Sequence, residues 1–282
     1  MATMLQAIAA PCLGADPYAL IDLAVQAEEV GFDGFFIWDH MLFANDGDGP
    51  ELVDPWAILA VIAARTSRIR FGPLITPLSR RRPWMVARQC ATLDALGGGR
   101  LVLGAGLGSP AEGDFGRFGE VTDDRTRAEL LDEALAIIDG LWSGERFRFD
   151  GAHYQLAPMR FLPRPIQRPR IPVWIGGVLP NRRPIARAAR WDGVVPIRFA
   201  DGRVVRPSVA DIAWTRDQVA AHRPELDGFD LVVWSEIVEV SPAGDQLLRD
   251  YQSAGATWWI ETGRPAPDWW SELTERVRMG PR

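Results

Sequence analysis

The chain has 282 residues, 47% of them hydrophobic, and a net charge of −6. That length and apolar content suit one large α/β domain or two small ones, and the negative charge excludes a general basic field for nucleic acid. No apolar run approaches the ~18 residues that span a bilayer, and no basic, then apolar, leader opens the chain, so a cytoplasmic protein is expected.

The first predicted strand is Leu5–Ala10, stopped by Pro11 and a turn at Gly14. Asp16-Pro17 opens a helix through Val30, with Asp16 as N-cap, Pro17 at the first helical position, and Leu20, Leu23, Ala24 and Ala27 on one face. After Gly31, Gly34–Trp38 reads as a second strand covered on both faces, which delivers Asp39 and His40 as the chain leaves the core. A polar loop follows from Met41 to Val53, with Asn45-Asp46-Gly47-Asp48-Gly49-Pro50 at its centre. Asp54-Pro55 repeats the cap device for a second helix through Thr66, and Arg70–Ile75 is the third strand, closed by Thr76-Pro77. Arg80-Arg81-Arg82 reads as a solvated face, or alternatively as a site for a polyanionic tail, before the third helix, Trp84–Leu96.

Leu101–Ala105 is the fourth strand, followed by a long glycine-rich loop and a fourth helix from Asp124 to Trp142. Residues 143–171 break the rhythm as a hairpin-like excursion around the turn at Asp150-Gly151. Val173–Ile175 resumes as strand five, ending in Gly176-Gly177, with a helix over Asn181–Ala189 and strand six over Gly193–Pro196. Helix six (Val209–His222), strand seven (Leu231–Val240), helix seven (Gly244–Ala254), strand eight (Ala256–Glu261) and a last helix (Asp268–Val277) complete the chain. Eight strands alternating with eight helices predict a single α/β domain over residues 1–282, a (β/α)₈ TIM barrel with shortened C-terminal insertions. Trp258 and Trp259 alternate on strand eight, so at most one enters the barrel.

All 31 basic side chains are arginine. The absence of lysine excludes Schiff-base aldolase chemistry, internal pyridoxal phosphate attachment and a P-loop lysine. Cys12 and Cys90 form no disulfide framework, and His40, His153 and His222 lie far apart with no ligand spacing, so no metal site is expected. Chemistry is left to acids, one or two histidines, or a bound cofactor. In a barrel the active site lies at the C-terminal strand ends. Those ends supply Ala10-Pro11, Asp39, His40, Leu74, Ile75, Thr76, Gly106, Leu107, Gly108, Gly176, Gly177 and Pro196-Ile197-Arg198, with Glu236 and Glu261 as further candidates. Gly176-Gly177 before a helix is either a tight turn or a phosphate cradle supplied with charge by Arg182 or Arg183. Gly104-Ala105-Gly106-Leu107-Gly108 misses the dinucleotide fingerprint because Ser109 stands where the last glycine belongs.

Ala27-Glu28-Glu29-Val30-Gly31-Phe32-Asp33-Gly34 followed by Trp38-Asp39-His40 resembles the bacterial luciferase-like flavin-dependent family. So do Thr92-Leu93-Asp94 leading through Gly98-Gly99-Arg100 to Leu103-Gly104-Ala105-Gly106, Phe161-Leu162-Pro163-Arg164-Pro165, Pro172-Val173-Trp174-Ile175-Gly176-Gly177 and Ala189-Arg190-Trp191-Asp192-Gly193. The resemblance implies a TIM barrel that binds coenzyme F420 or, as the alternative, FMN, with hydride transfer or monooxygenation as the chemistry. The Trp-Asp-His strand end is similar to the F420-using branch and implies catalytic roles for His40, as a proton-exchanging group, and for Asp39, which would orient the ring or the histidine. It further implies cofactor contacts from Pro73, Leu74, Thr76, Gly106, Leu107, Gly108, Gly176, Gly177 and Arg182, and a non-proline cis bond between Pro73 and Leu74 with Ile75 in the barrel wall.

Three positions depart from the branch patterns. Leu107 replaces the arginine of luciferase-type subunits, and Ser109 and Ala44 replace an acid and a tryptophan of the sugar-phosphate dehydrogenases. Light emission and glucose-6-phosphate oxidation are therefore not expected. The leading expectation is an F420-dependent oxidoreductase acting on an unidentified small organic substrate. An FMN monooxygenase served by a separate reductase, or a flavin-binding protein without catalysis, are the alternatives. The family pairs through early helices, which predicts a homodimer using Trp56, Ile58, Trp84 and Met85.

Overall fold

The structure, a computed structural model, describes residues 3–43, 48–263 and 268–282. Ala44 and the turn residues Asn45, Asp46 and Gly47 lie outside the described residues. In chain order the elements are β1 (Leu5–Ala10), α1 (Pro17–Val30), β2 (Gly34–Ile37), α2 (Pro55–Arg65), β3 (Arg70–Pro73), β4 (Thr76–Pro77) and α3 (Pro83–Leu96). Then come β5 (Leu103–Gly106), α4 (Ala111–Asp114), α5 (Asp124–Trp142), β6 (Arg146–Asp150), β7 (Gln155–Arg160), β8 (Val173–Val178) and α6 (Arg182–Ala188). The chain finishes with β9 (Gly193–Ala200), β10 (Arg203–Val205), α7 (Val209–Ala220), β11 (Asp230–Glu236), α8 (Pro242–Ser253), β12 (Trp258–Thr262) and α9 (Trp269–Arg278).

The helices begin where the sequence places their caps. Asp16 and Asp54 accept the N–H of Ala19 and Ala57, each with proline at the first helical position, and Ser208 forms a capping box with Asp211. The strands run in parallel in the order β3-β2-β1-β12-β11-β9-β8-β5-β4. Because β3 also meets Leu101 through a bridge at Phe71, the two pieces of the third strand close the ring. This is the expected barrel. The backbones cross tightly at the closure: a Cβ on Gly72 would overlap the Val102 carbonyl, and one on Gly104 would come 2.5 Å from the Pro73 carbonyl.

Inside the ring, Phe36, Trp174 and Trp258 pack with centroids 5.2–6.2 Å apart. The indole N–H groups of Trp174 and Trp258 both donate to Asp230 at 3.0 Å, and burial pushes that carboxyl above its ordinary pKa. Trp259 faces outward onto Tyr251 of α8, so one tryptophan of the pair enters the barrel. The excursion is an antiparallel hairpin of β6 and β7, tied to α5 because Glu133 accepts the backbone N–H of Ala152, His153 and Tyr154.

Several boundaries differ from the sequence reading. The third strand is interrupted after Pro73, and the cis bond lies at Leu74–Ile75, one residue beyond the expected Pro73–Leu74. The ladder with β2 continues through Leu74, whose N–H donates to Ile37 at 2.8 Å, so the strand is still regular across Pro73. Strand six continues past Pro196, since pairing with β8 runs on to Ile197 opposite Val178, and then folds back as β10. Strand seven stops at Glu236 rather than Val240, because the Val238 N–H turns to the Glu261 side chain. Trp56 and Ile58, expected to offer apolar surface to a second copy, are buried within the chain, leaving Met85 exposed and Trp84 half-buried.

Candidate active site at the C-terminal mouth of the barrel

His40 stands where β2 gives way to loop, in a half-buried position with its ring 4.7 Å from that of Phe43 and 6.1 Å from that of Trp38. Its Nδ1 lies 2.7 Å from Oδ2 of Asp114, at the end of α4. The other oxygen of Asp114 accepts the N–H groups of Met41 and Leu42, both at 2.9 Å. Burial alone would raise Asp114, yet the hydrogen bond and charge of His40, the Leu42 N–H and Arg80 outweigh it and hold the carboxyl below its ordinary value.

Asp39, expected to orient the ring or the histidine, makes no hydrogen bond to His40, whose Nδ1 partner is Asp114. Asp39 is buried and accepts from Trp56 Nε1 at 3.0 Å, from the Thr76 hydroxyl, from Arg80 at 2.9 Å and from Arg81 at 2.9 Å. Desolvation opposes its ionisation, but Arg81 and Arg80 together with the Thr76 and Trp56 hydrogen bonds prevail and keep it ionised. Arg80 and Arg81 are accordingly no solvated face, whereas Arg82 is exposed. The Arg80 side chain is only 5% exposed and bridges Asp39 and Asp114, its Nη1 lying 3.1 Å from Asp114. Arg81 packs over the Trp56 ring at 5.1 Å, and Arg82 lies 5.9 Å from the ring of Trp84.

Gly106 and Gly176 lie side by side on β5 and β8, and Ile75 lies across both. A Cβ on either would run into that side chain, so the two glycines and Ile75 form a flat floor. Ile75 therefore faces into the barrel, not its wall, and Leu74 is the buried residue of the pair, packed on Gly104. Pro73 is buried and Thr76 is committed to Asp39, so neither offers a side-chain polar group to a ligand. Leu107 and Gly108 are half-buried, with both carbonyls held by Arg127 (3.2 and 3.1 Å). Gly177 lies within the strand rather than at a helix start. A Cβ there would meet Ile185 and Pro184 at 3.1 Å, and four residues separate it from α6, where Arg182 is exposed.

Trp38 and Trp234 close one side of the mouth, with rings 5.6 Å apart. The indole nitrogen of Trp38 is buried and has no hydrogen-bond partner among the described residues. Glu236 shares the inward face with Trp234, whereas Glu261 turns outward into a buried ion pair with Arg276 of α9. Cys12 ends near His40, but burial pushes its thiol up to about 11, so it is no thiolate at neutral pH.

Asp114, the pairing of Arg80 and Arg81 with Asp39, and Arg127 are not legible in the sequence. Asp114 is 74 residues from His40 within a glycine-rich stretch that carries no local sign of its role.

The sequence pattern of the family described as luciferase-like monooxygenase matches residues 3–269. An F420-dependent glucose-6-phosphate dehydrogenase of Nakamurella multipartita is 34% identical over 227 residues, which is 77% of this chain and 62% of that protein. One of the same name from Microbacterium testaceum is 36% identical over 162 residues, 57% of this chain and 47% of its own. The chain thus spans about half the length of the curated relatives it matches. Among solved structures, an F420-dependent secondary alcohol dehydrogenase in complex with an F420-acetone adduct superposes with a TM-score of 0.76 at 16% identity, covering 98% of each chain. The fold is shared.

Proposed function

The chain belongs to the luciferase-like monooxygenase family, and from that premise we propose that it is a coenzyme F420-dependent oxidoreductase acting on a small organic substrate. The observation that supports this most is His40, held through Nδ1 by a buried carboxylate, at the same end of the barrel as a flat floor of Gly106, Gly176 and Ile75. Those residues fit a planar ring system, and the unpartnered indole N–H of Trp38 offers a polar contact at the mouth. The backbone of Gly106, Leu107 and Gly108 and the side chain of Ile75 would hold the deazaflavin, with exposed Arg182 as a charge for its anionic portion. When bound, the cofactor supplies the hydride acceptor or donor. His40 exchanges a proton with the substrate at Nε2, the nitrogen not engaged by Asp114. Trp38 and Phe43 pack against the imidazole and, with Trp234 behind Trp38, form an apolar wall that would exclude water from that side of the ring.

Absorbance titration of the protein with oxidised F420 and with FMN tests the proposal. Saturable binding of F420, with FMN weaker, is the expected result. Preference for FMN, with oxygen uptake when reduced FMN is supplied, would instead establish the second reading, a monooxygenase served by a separate reductase. That reading is favoured only by the family's own description. His40→Ala should retain F420 binding and lose turnover; unchanged turnover would leave His40 without a catalytic part. We also propose a homodimer, now resting on Met85 and Trp84 alone, which light scattering at micromolar concentration checks.

A further inference from the structure

We propose that Asp114 is a positioning residue for His40: it fixes the imidazole as the tautomer protonated on Nδ1, and Arg80 keeps Asp114 in place as an anion. The proposal rests on the function above in one respect, that His40 exchanges a proton during turnover. An ionised carboxylate can only accept, so the 2.7 Å contact of Asp114 Oδ2 with Nδ1 requires the proton on that nitrogen and leaves the lone pair on Nε2. Free imidazole in water prefers the opposite tautomer, so the carboxylate has work to do. Asp114 has little freedom to rotate away, because its second oxygen accepts the N–H of Met41 and Leu42 at 2.9 Å. These residues follow His40 directly. One side chain therefore holds both the ring and the backbone that carries it.

Arg80 completes the arrangement. Its Nη1 lies 3.1 Å from the same Asp114 oxygen that faces the histidine, and its Nη2 donates to the side chain and carbonyl of Asp39 at 2.9 and 3.0 Å. A guanidinium hydrogen-bonded at one end to the strand end that bears His40 thus holds its positive charge against the carboxylate at the other, as an ion pair. The groups around the ring are Asp114 from α4, Arg80 from the turn after β4, Asp39 with Arg81 at its own strand end, and the neutral thiol of Cys12 beyond β1. Of these, Asp114 is the one bonded to Nδ1.

Nitrogen-15 NMR of the whole protein with labelled histidine reads the tautomer directly. The chain has three histidines, so loss of one signal set in His40→Gln assigns the ring. Above the imidazole titration range, His40 should show a protonated Nδ1 and an unprotonated Nε2. Asp114→Asn should move the majority to the Nε2–H form and, in the F420-loaded protein, lower kcat about a hundredfold while KM stays within about twofold. A wild-type His40 protonated mainly on Nε2, or a tautomer unchanged in Asp114→Asn, would overturn the proposal. The wild-type spectrum needs no variant, so it decides even where Asp114→Asn does not fold. It needs no cofactor either, so a failure to bind F420 would refute the proposed function and leave this measurement standing.

Discussion

Replacing Asp39 with asparagine removes the anion that pairs with Arg80 and Arg81 while keeping the side-chain shape. The remaining amide oxygen can still accept from Trp56 Nε1, Thr76 Oγ1 and Arg81, but the NH₂ in place of the other oxygen must then face Arg80 and Arg81. Both guanidinium groups lie 2.9 Å from the carboxylate, with side chains 5% and 19% exposed. Removing one partner of a buried ion pair costs about 3–5 kcal/mol, because the other charge is left uncompensated. At ~1.4 kcal/mol per tenfold, Asp39→Asn should lower the folded-to-unfolded ratio by about two to four orders of magnitude. Urea unfolding at pH 7, followed by circular dichroism, measures the change in midpoint at constant slope. Adding Arg81→Met should restore part of the loss, since that side chain has Asp39 as its ion-pair partner. A loss below about 1 kcal/mol in the single variant would show that water or Asp114 compensates the arginines, and would refute the structural role assigned to Asp39.

The same carboxylates set the acid limit. Asp39 and Asp114 are both held below their ordinary values, so their stabilisation is complete above the unfolded-state pKa of about 3.9 and disappears as pH falls through the lowered values. The melting temperature should decline steeply below about pH 4, and a flat profile down to pH 2 would contradict the pairing. Gly72→Ala should destabilise by about 1–3 kcal/mol in thermal or urea unfolding, because its Cβ is directed at the Val102 carbonyl where the barrel closes; wild-type stability would mean that the closure is loose. Glu133→Ala should accelerate amide exchange at Ala152, His153 and Tyr154 while leaving the barrel strands protected, and unchanged exchange would show that the hairpin does not depend on α5. Arg182→Ala should weaken F420 binding several-fold at low salt and less at high salt, which fluorescence titration can follow; no change would remove Arg182 from the cofactor site.

Local chemistry was enough to place the elements. Asp16-Pro17 and Asp54-Pro55 are helix starts because an aspartate followed by proline satisfies the first orphan N–H groups and presets φ, and both caps form as expected. Short apolar runs bounded by glycine or polar residues, such as Gly34–Ile37, read as buried strands, and their alternation with helices leads to a closed parallel ring. His40 was legible for the same reason: it follows a core strand at the end where barrels carry chemistry. Its partner was not. The Asp114 contact spans 74 residues, and nothing near Asp114 distinguishes it from Glu112 until α4 is set against β2. Arg80 and Arg81 looked solvated because a run of like charges ordinarily is; two distant carboxylates make their burial possible. The register of the third strand, and with it the inward turn of Ile75, depended on where the β2 ladder ends and how closely β5 passes. Short-range preferences act through neighbouring backbone groups and are written in sequence, whereas the pairing of His40 with Asp114 and of Arg80 with Asp39 joins groups that only the closed barrel brings within 3 Å.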